Sequence, residues 1–195
     1  MTDPDSTGLL AEPAAGFLEG RTLSAEARSI SPAGRSLGKY LEALGESDLA
    51  IDAEAILAHA LPRREAVWWA CRCTRLALGD NPTAEVFEAL KATEAWATAP
   101  LDSNRRKAYH AGEAAGFGHP AGCAALAAFF SGGSLAPPRL PEVKPPPHLT
   151  GDCVASSVML SAVLHDPAAA SIAHRTFLAI GLAVAAGQDR WPTNL

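Results

Sequence analysis

The sequence predicts an all-α fold from its alanine content, the helical spacing of its apolar residues, and the lack of any long run of alternating polarity. Alanine supplies 41 of 195 residues and aromatics only 6%; alanine is the best helix former and is depleted from strands. Apolar residues at 48% against 19% charged provide a core, and 20.2 kDa fits a single domain. The architecture predicted is a compact, irregular array of seven to eight helices, with a Pro-rich strap near residues 131–150.

Taken in order, residues 1–34 carry short apolar pieces broken by Gly, Pro and Ser, and read as a poorly ordered or strap-like lead segment. A single helical domain is expected over 35–190. Leu37, Tyr40, Leu41 and Leu44 fall at i, i+3, i+4 and i+7, and Gly45 marks the stop. Asp52 is a candidate cap for the helix AEAILAHAL, and Pro62 is placed to open PRREAVWWACRCTRLALG, which Gly79 terminates. Helices follow from Pro82 to about Thr98, from Asp102 or Ser103 through NRRKAYHAGEAAG, and from Pro120 through AGCAALAAFFSG. Six prolines between positions 137 and 147 then exclude a helix interior. Leu135, Leu140, Val143 and Leu149 are the apolar residues expected to anchor that strap. Two further helices span about 151–164 and 168–186, separated by Asp166-Pro167 and closed by Gly187.

Charge and composition narrow the function. A net charge of -5 and a pI near 5.6 argue against nucleic acid as a partner. The first 61 residues hold 4 basic and 10 acidic side chains, and residues 62–110 hold 8 and 6. Recognition of acidic partners should therefore fall to the middle third. The acidic N-terminus lacks a signal-peptide pattern, and Ile172 to Ala186 is interrupted by His174 and Arg175 and is shorter than a bilayer span of about 20 residues. A cytoplasmic protein with no membrane insertion is expected, its four cysteines reduced.

Chemistry-bearing motifs are sparse. Cys71 and Cys73 form C-x-C, which on a helix points the two thiols about 200° apart, and the six histidines occur singly. No metal site and no cofactor are expected. There is no G-x-S-x-G elbow and no phosphate-cradling glycine loop, so an enzyme is the weaker class.

The helix PRREAVWWACRCTRLALG is the most informative segment. At 100° per residue Trp69, Val67, Ala70, Cys71 and Cys73 share a core-facing arc, while Arg64, Arg75, Trp68 and Arg72 share the other side. Trp and Arg dominate binding hot spots, so Arg64, Trp68, Arg72 and Arg75 form the candidate partner-binding patch. Arg105 and Arg106, cations at a helix start where the macrodipole opposes them, are second-rank contacts. The competing possibility covers Trp68 with the lead segment or strap and pairs the arginines internally.

The strings AILAHALPRREAVWWACRCTRLALG, EAWATAP, NRRKAYHAGEAAGFGHPAG, AAFFSGGSLAPP and PPPHLTG resemble an uncharacterised bacterial all-helical family, over roughly residues 37–190. Some members carry the label "twin-arginine translocation pathway signal", which the mid-chain, helix-opening Arg63-Arg64 does not fit. Members of that family are often encoded near type VI secretion genes. The resemblance implies a non-enzymatic adaptor or assembly accessory protein, with a secretion spike, adaptor or effector protein as partner. The alternative is a small-molecule or anion-binding helical domain, or a catalytic one, using the same arginines with His59 or His110.

Overall fold

In the computed structural model the structure describes residues 8–192. The first seven residues of the predicted lead segment, with part of the acidic start, lie outside the described residues. Among the described residues the fold is all-α, with nine α-helices and no strand. They are α1 (Ala25–Ser29), α2 (Leu37–Glu46), α3 (Ala50–Ala60), α4 (Arg63–Leu78), α5 (Ala84–Thr98), α6 (Asp102–Ala115), α7 (Pro120–Phe130), α8 (Leu149–Ala162) and α9 (Ala170–Ala185). Short 3₁₀ turns at Ala14–Phe17 and Pro167–Ala169 complete the inventory.

The termini follow the local chemistry. Ser36 and Thr83 accept backbone N–H groups at the starts of α2 and α5, and Gly79 ends α4 at φ 63°. Pro120 is the first residue of α7, where His119 Nδ1 accepts the Ala121 N–H at 3.2 Å. Two expected caps shift. Because α3 begins at Ala50, Asp52 lies inside its first turn, and its carboxylate accepts the Ser24 N–H and hydroxyl at 2.8 and 2.9 Å. Asp102 is the first helical residue of α6 rather than its cap.

Helices α5, α6, α7 and α8 pack successively, α8 also lies against α3 and α4, and α9 packs across α3 and α4. Trp69, Tyr40, Leu37, Leu41, Leu44, Ile56 and Leu57 are sealed in the interior. Small residues set the approach distances. A Cβ on Gly181 of α9 would stand 2.6 Å from Leu57 Cδ2 and 2.7 Å from Trp69 Cε2. On α7, Ala121, Ala124, Ala125, Ala127 and Ala128 are all fully buried, as expected of an alanine face at a close helix contact.

Leu9, Ala14, Leu23 and Ala27 of the lead segment are buried, and Tyr40 OH donates to the Ala27 carbonyl at 3.3 Å. The proline strap is held differently from expectation. Leu140 and Val143 are exposed, so they anchor nothing, while Arg105 donates to the Phe129 and Ser134 carbonyls and Arg106 to those of Ser134 and Ala136. Guanidinium groups can saturate carbonyls that a proline-rich chain leaves without internal partners. One helical stretch, Pro167–Ala185, is 19 residues long with mean hydropathy 1.5, enough to cross a membrane by length and composition. It is longer than the apolar run read from the sequence, and its His174, Phe177, Leu178, Gly181, Val184 and Ala185 are buried against the bundle.

Candidate functional site

Helix α4 carries the residues singled out by the sequence. Trp69 faces the core as expected, its indole N–H donating to the Phe177 carbonyl at 2.8 Å. Trp68 does not turn outward: it is 7% exposed, and its indole N–H donates to Asp189 Oδ1 at 2.9 Å. Arg72 Nε donates to the other oxygen of the same carboxylate at 2.9 Å. The cause is the chain after α9, which lies across this face.

The other arginines also have internal partners. Arg64 donates to the Ala97 and Thr98 carbonyls at 2.5 and 2.7 Å, at the C-terminal end of α5, where a cation complements the macrodipole. Its guanidinium lies 3.8 Å from the centre of the Trp191 ring. Arg75 makes a bidentate pair with Glu94 at 2.7 and 2.6 Å. Arg105 is 3% exposed and Arg106 half-buried, and both pair with Asp102 as well as clamping the strap. Hydrogen bonds from these two guanidinium groups hold the Asp102 carboxyl below its usual range, against a smaller opposing effect of burial. Arg105 and Arg106 thus brace the fold where a surface contact was expected. Arg72 and Arg75 keep 42% and 43% of their side chains exposed, and with Leu76, Gly79, Asp80 and Ile180 they border an open cleft of about 520 Å³.

A second region was not legible as a site. The N-terminal end of α3, the C-terminal end of α8 and the first turns of α9 enclose a groove of about 340 Å³. Ile51, Met159 and Val163 line it, exposed by 56%, 47% and 38%. Such apolar surface is costly to leave in water, at about 25 cal/mol per Å². Asp48 and Arg175 form an ion pair at its rim. Asp48 has φ 61°, a left-handed turn conformation that aspartate tolerates better than most residues.

His174 borders the same groove and is only 4% exposed. Its Nδ1 stands 2.7 Å from Oε2 of Glu54, itself 3% exposed. Among the described residues, Glu54 Oε1 is buried with no hydrogen-bond partner, and none contacts His174 Nε2. Burial pushes the Glu54 carboxyl above its ordinary range, with the hydrogen bond and charge of His174 opposing the shift. A faint signal existed in the sequence: Glu54 interrupts the core face formed by Ala53, Ile56 and Leu57, and His174 interrupts the apolar run of α9.

Of the remaining histidines, His59 and His148 both meet the Asp152 carboxylate, at 3.1 and 3.9 Å. Burial pushes the Cys71 and Cys73 thiols well up and raises Cys153 to about 12. His110 is exposed beside Glu113 at 3.9 Å. Neither His59 nor His110 lines the cleft that holds Arg72 and Arg75. Among the described residues, no group of three or more His, Cys, Asp or Glu is placed to hold a metal ion.

Residues 40–185 match the model of a family of unknown function, DUF6931. The chain belongs to that family. No curated protein and no solved structure matches it. The family region takes in all of α4 and the whole groove, and stops short of Asp189 and Trp191.

Proposed function

We propose that this protein is a non-enzymatic interaction protein, an adaptor or assembly accessory factor, and that its principal contact is the groove between α3, α8 and α9. One observation carries the reading. Three large apolar side chains from two separate helices and the turn after α8 stand exposed around one groove, in a protein whose other large side chains are mostly packed away. The half-exposed ledge of Arg72, Arg75 and Leu76 supplies a second, smaller contact. Arg64, Trp68, Arg105 and Arg106 act on binding through the fold they hold together.

Likeness to the bacterial helical family often encoded near type VI secretion genes suggests the setting: loading of a spike or effector component in the cytoplasm. The decisive experiment titrates the full chain with purified spike, adaptor and effector proteins from neighbouring genes, comparing wild type with Met159→Glu. Binding that Met159→Glu abolishes, with the fold intact by circular dichroism, supports the reading; binding by both alike would overturn it.

A second reading, a small-molecule-binding or catalytic domain, draws on the Glu54–His174 pair. A histidine oriented by a buried carboxylate is a recurrent proton-handling arrangement. Saturable binding of a free small acid at His174, with no protein partner needed, would favour it.

A further inference from the structure

We infer that the groove takes the C-terminus of a partner chain, seating an apolar last side chain against Ile51, Met159 and Val163 and its carboxylate on His174 Nε2. The inference rests on the reading of the groove as an interaction surface and specifies the chemistry of what enters it.

The protonation of the Glu54–His174 pair sets the polarity of the site. Both side chains are buried, and a net negative charge there is disfavoured by the loss of hydration. The pair is therefore neutral overall. If the carboxyl is ionised, the ring is an imidazolium with hydrogens on both nitrogens. If the carboxyl is protonated, the proton belongs on Oε2, because Oε1 is buried with no partner to receive it; Oε2 then donates to Nδ1 and the ring hydrogen sits on Nε2. Either way Nε2 carries a hydrogen, and the opposite edge of the ring, Nδ1, is turned inward to Glu54. A buried ring whose Nε2 has no partner among the described residues, at the border of a groove, is open to an acceptor from outside.

An anionic acceptor suits it best. Charge-assisted hydrogen bonds are about twice as strong as neutral ones. Arg175 stands at the same rim and gives one N–H direction to Asp48, leaving further guanidinium donors. Glu42 and Glu46 lie with Arg175 and Asp48 around the adjoining cleft of about 400 Å³, so an incoming anion is directed to the His174 side. Cys73 faces Glu54 from α4 and stays a neutral thiol, because burial raises it well above its ordinary range. The first turn of α9, contributing Ala170 and Ser171 to the wall, brings the positive end of its macrodipole to the groove.

Geometry then selects among anions. The donor and the apolar wall share one groove of about 340 Å³, at the small end of the range of about 300–1000 Å³ for ligand pockets. Apolar group and carboxylate must lie close together. The last residue of a chain carries both on one Cα, and capture of a terminal carboxylate is a recurring recognition mode.

The test uses the full chain and the hexapeptide Gly-Ser-Gly-Ser-Ala-Leu as free acid and as C-terminal amide, with octanoate as a third probe. Binding is followed by NMR through the His174 ring signals. The expected result is that the acid binds about tenfold or more tightly than the amide, as befits one charged hydrogen bond, that it beats octanoate, and that Met159→Glu removes it. His174→Phe keeps an apolar filler but strands Glu54, so His174→Phe/Glu54→Leu is the variant that removes the donor while sparing the fold. Equal binding of acid and amide, octanoate binding as tightly as the peptide, or no shift at His174 at millimolar peptide would each overturn the inference. If the peptide fails while Met159→Glu still abolishes the protein complex, the interaction surface stands and only its terminal specificity falls.

Discussion

Two regions of this molecule carry polar groups beside large apolar side chains, and they differ in what finishes them. On α4, Trp68, Arg64 and Arg72 are completed from within, by Asp189, by the carbonyls of Ala97 and Thr98, and by the Trp191 ring. Between α3, α8 and α9, the apolar side chains stay open to water and the histidine keeps one ring edge without a protein partner among the described residues. Residue type alone singled out the first. Completion of hydrogen bonding and burial distinguishes the second, because an interior meets its own polar demands and a binding surface leaves some of them to the partner.

The contrast breaks most visibly at the α4 indoles. Trp69→Ala empties a sealed site and strands the Phe177 carbonyl, and is expected to cost about 3–5 kcal/mol in urea unfolding. Trp68→Ala should approach that value while leaving groove binding unchanged; a loss of partner affinity with normal stability would restore the docking role first assigned to Trp68. Gly181→Ala comes next. Its methyl group would press on Leu57 and Trp69, at about 1–3 kcal/mol, unless α9 shifts outward. Such a shift would widen the groove through His174 and be read as altered peptide binding.

Asp189→Asn tests how much the tail contributes. It keeps the shape and weakens the acceptor for both Trp68 and Arg72, and about 1 kcal/mol is expected, since Arg72 is substantially exposed. Glu54→Gln gives a pH signature. The folded carboxyl titrates above the ordinary glutamate value of 4.5 that the unfolded chain keeps, so the native state holds a proton that the unfolded chain releases. Stability from this site is therefore full below pH 4.5 and falls as pH rises through the raised folded value. Chemical denaturation at a series of pH values should show that slope flattened in Glu54→Gln. The smallest effect belongs to Met159→Ser and Val163→Ser, each within about 0.5 kcal/mol of wild type, because neither side chain is buried in the free protein.

The fold was legible wherever the signal was local. Pro62, Gly79, Pro82 and Pro120 act within one turn of where they stand, and so they located the ends of α4, α5 and α7 within about two residues. The wheel of α4 also separated Trp69 from Trp68 correctly as two faces of one helix. It could not say what lay against the second face, because Asp189 is 121 residues beyond Trp68 and no short-range pattern links them. The strap anchors misled for a related reason: leucine spacing suggested apolar attachment, whereas the attachment is polar and comes from Arg105 and Arg106. The groove was illegible because Ile51, Met159, Val163 and His174 are unremarkable singly and become a surface only when α3, α8 and α9 converge. Glu54 and His174, each a polar residue on an otherwise apolar face, were the one hint available.

The stretch that closes the α4 face deserves a genealogical reading. Asp189 and Trp191 fall past position 185, where correspondence with DUF6931 ceases, whereas Arg64, Trp68 and Arg72 fall inside it. A cousin that keeps those three but replaces the trailing acid and indole would wear the same helix with a naked tryptophan beside an Arg72 that has lost its carboxylate, while Arg64 keeps its hold on the Ala97 and Thr98 carbonyls. Lineages could thereby acquire or retire a contact surface by editing a few trailing codons, leaving every helix of the shared body untouched.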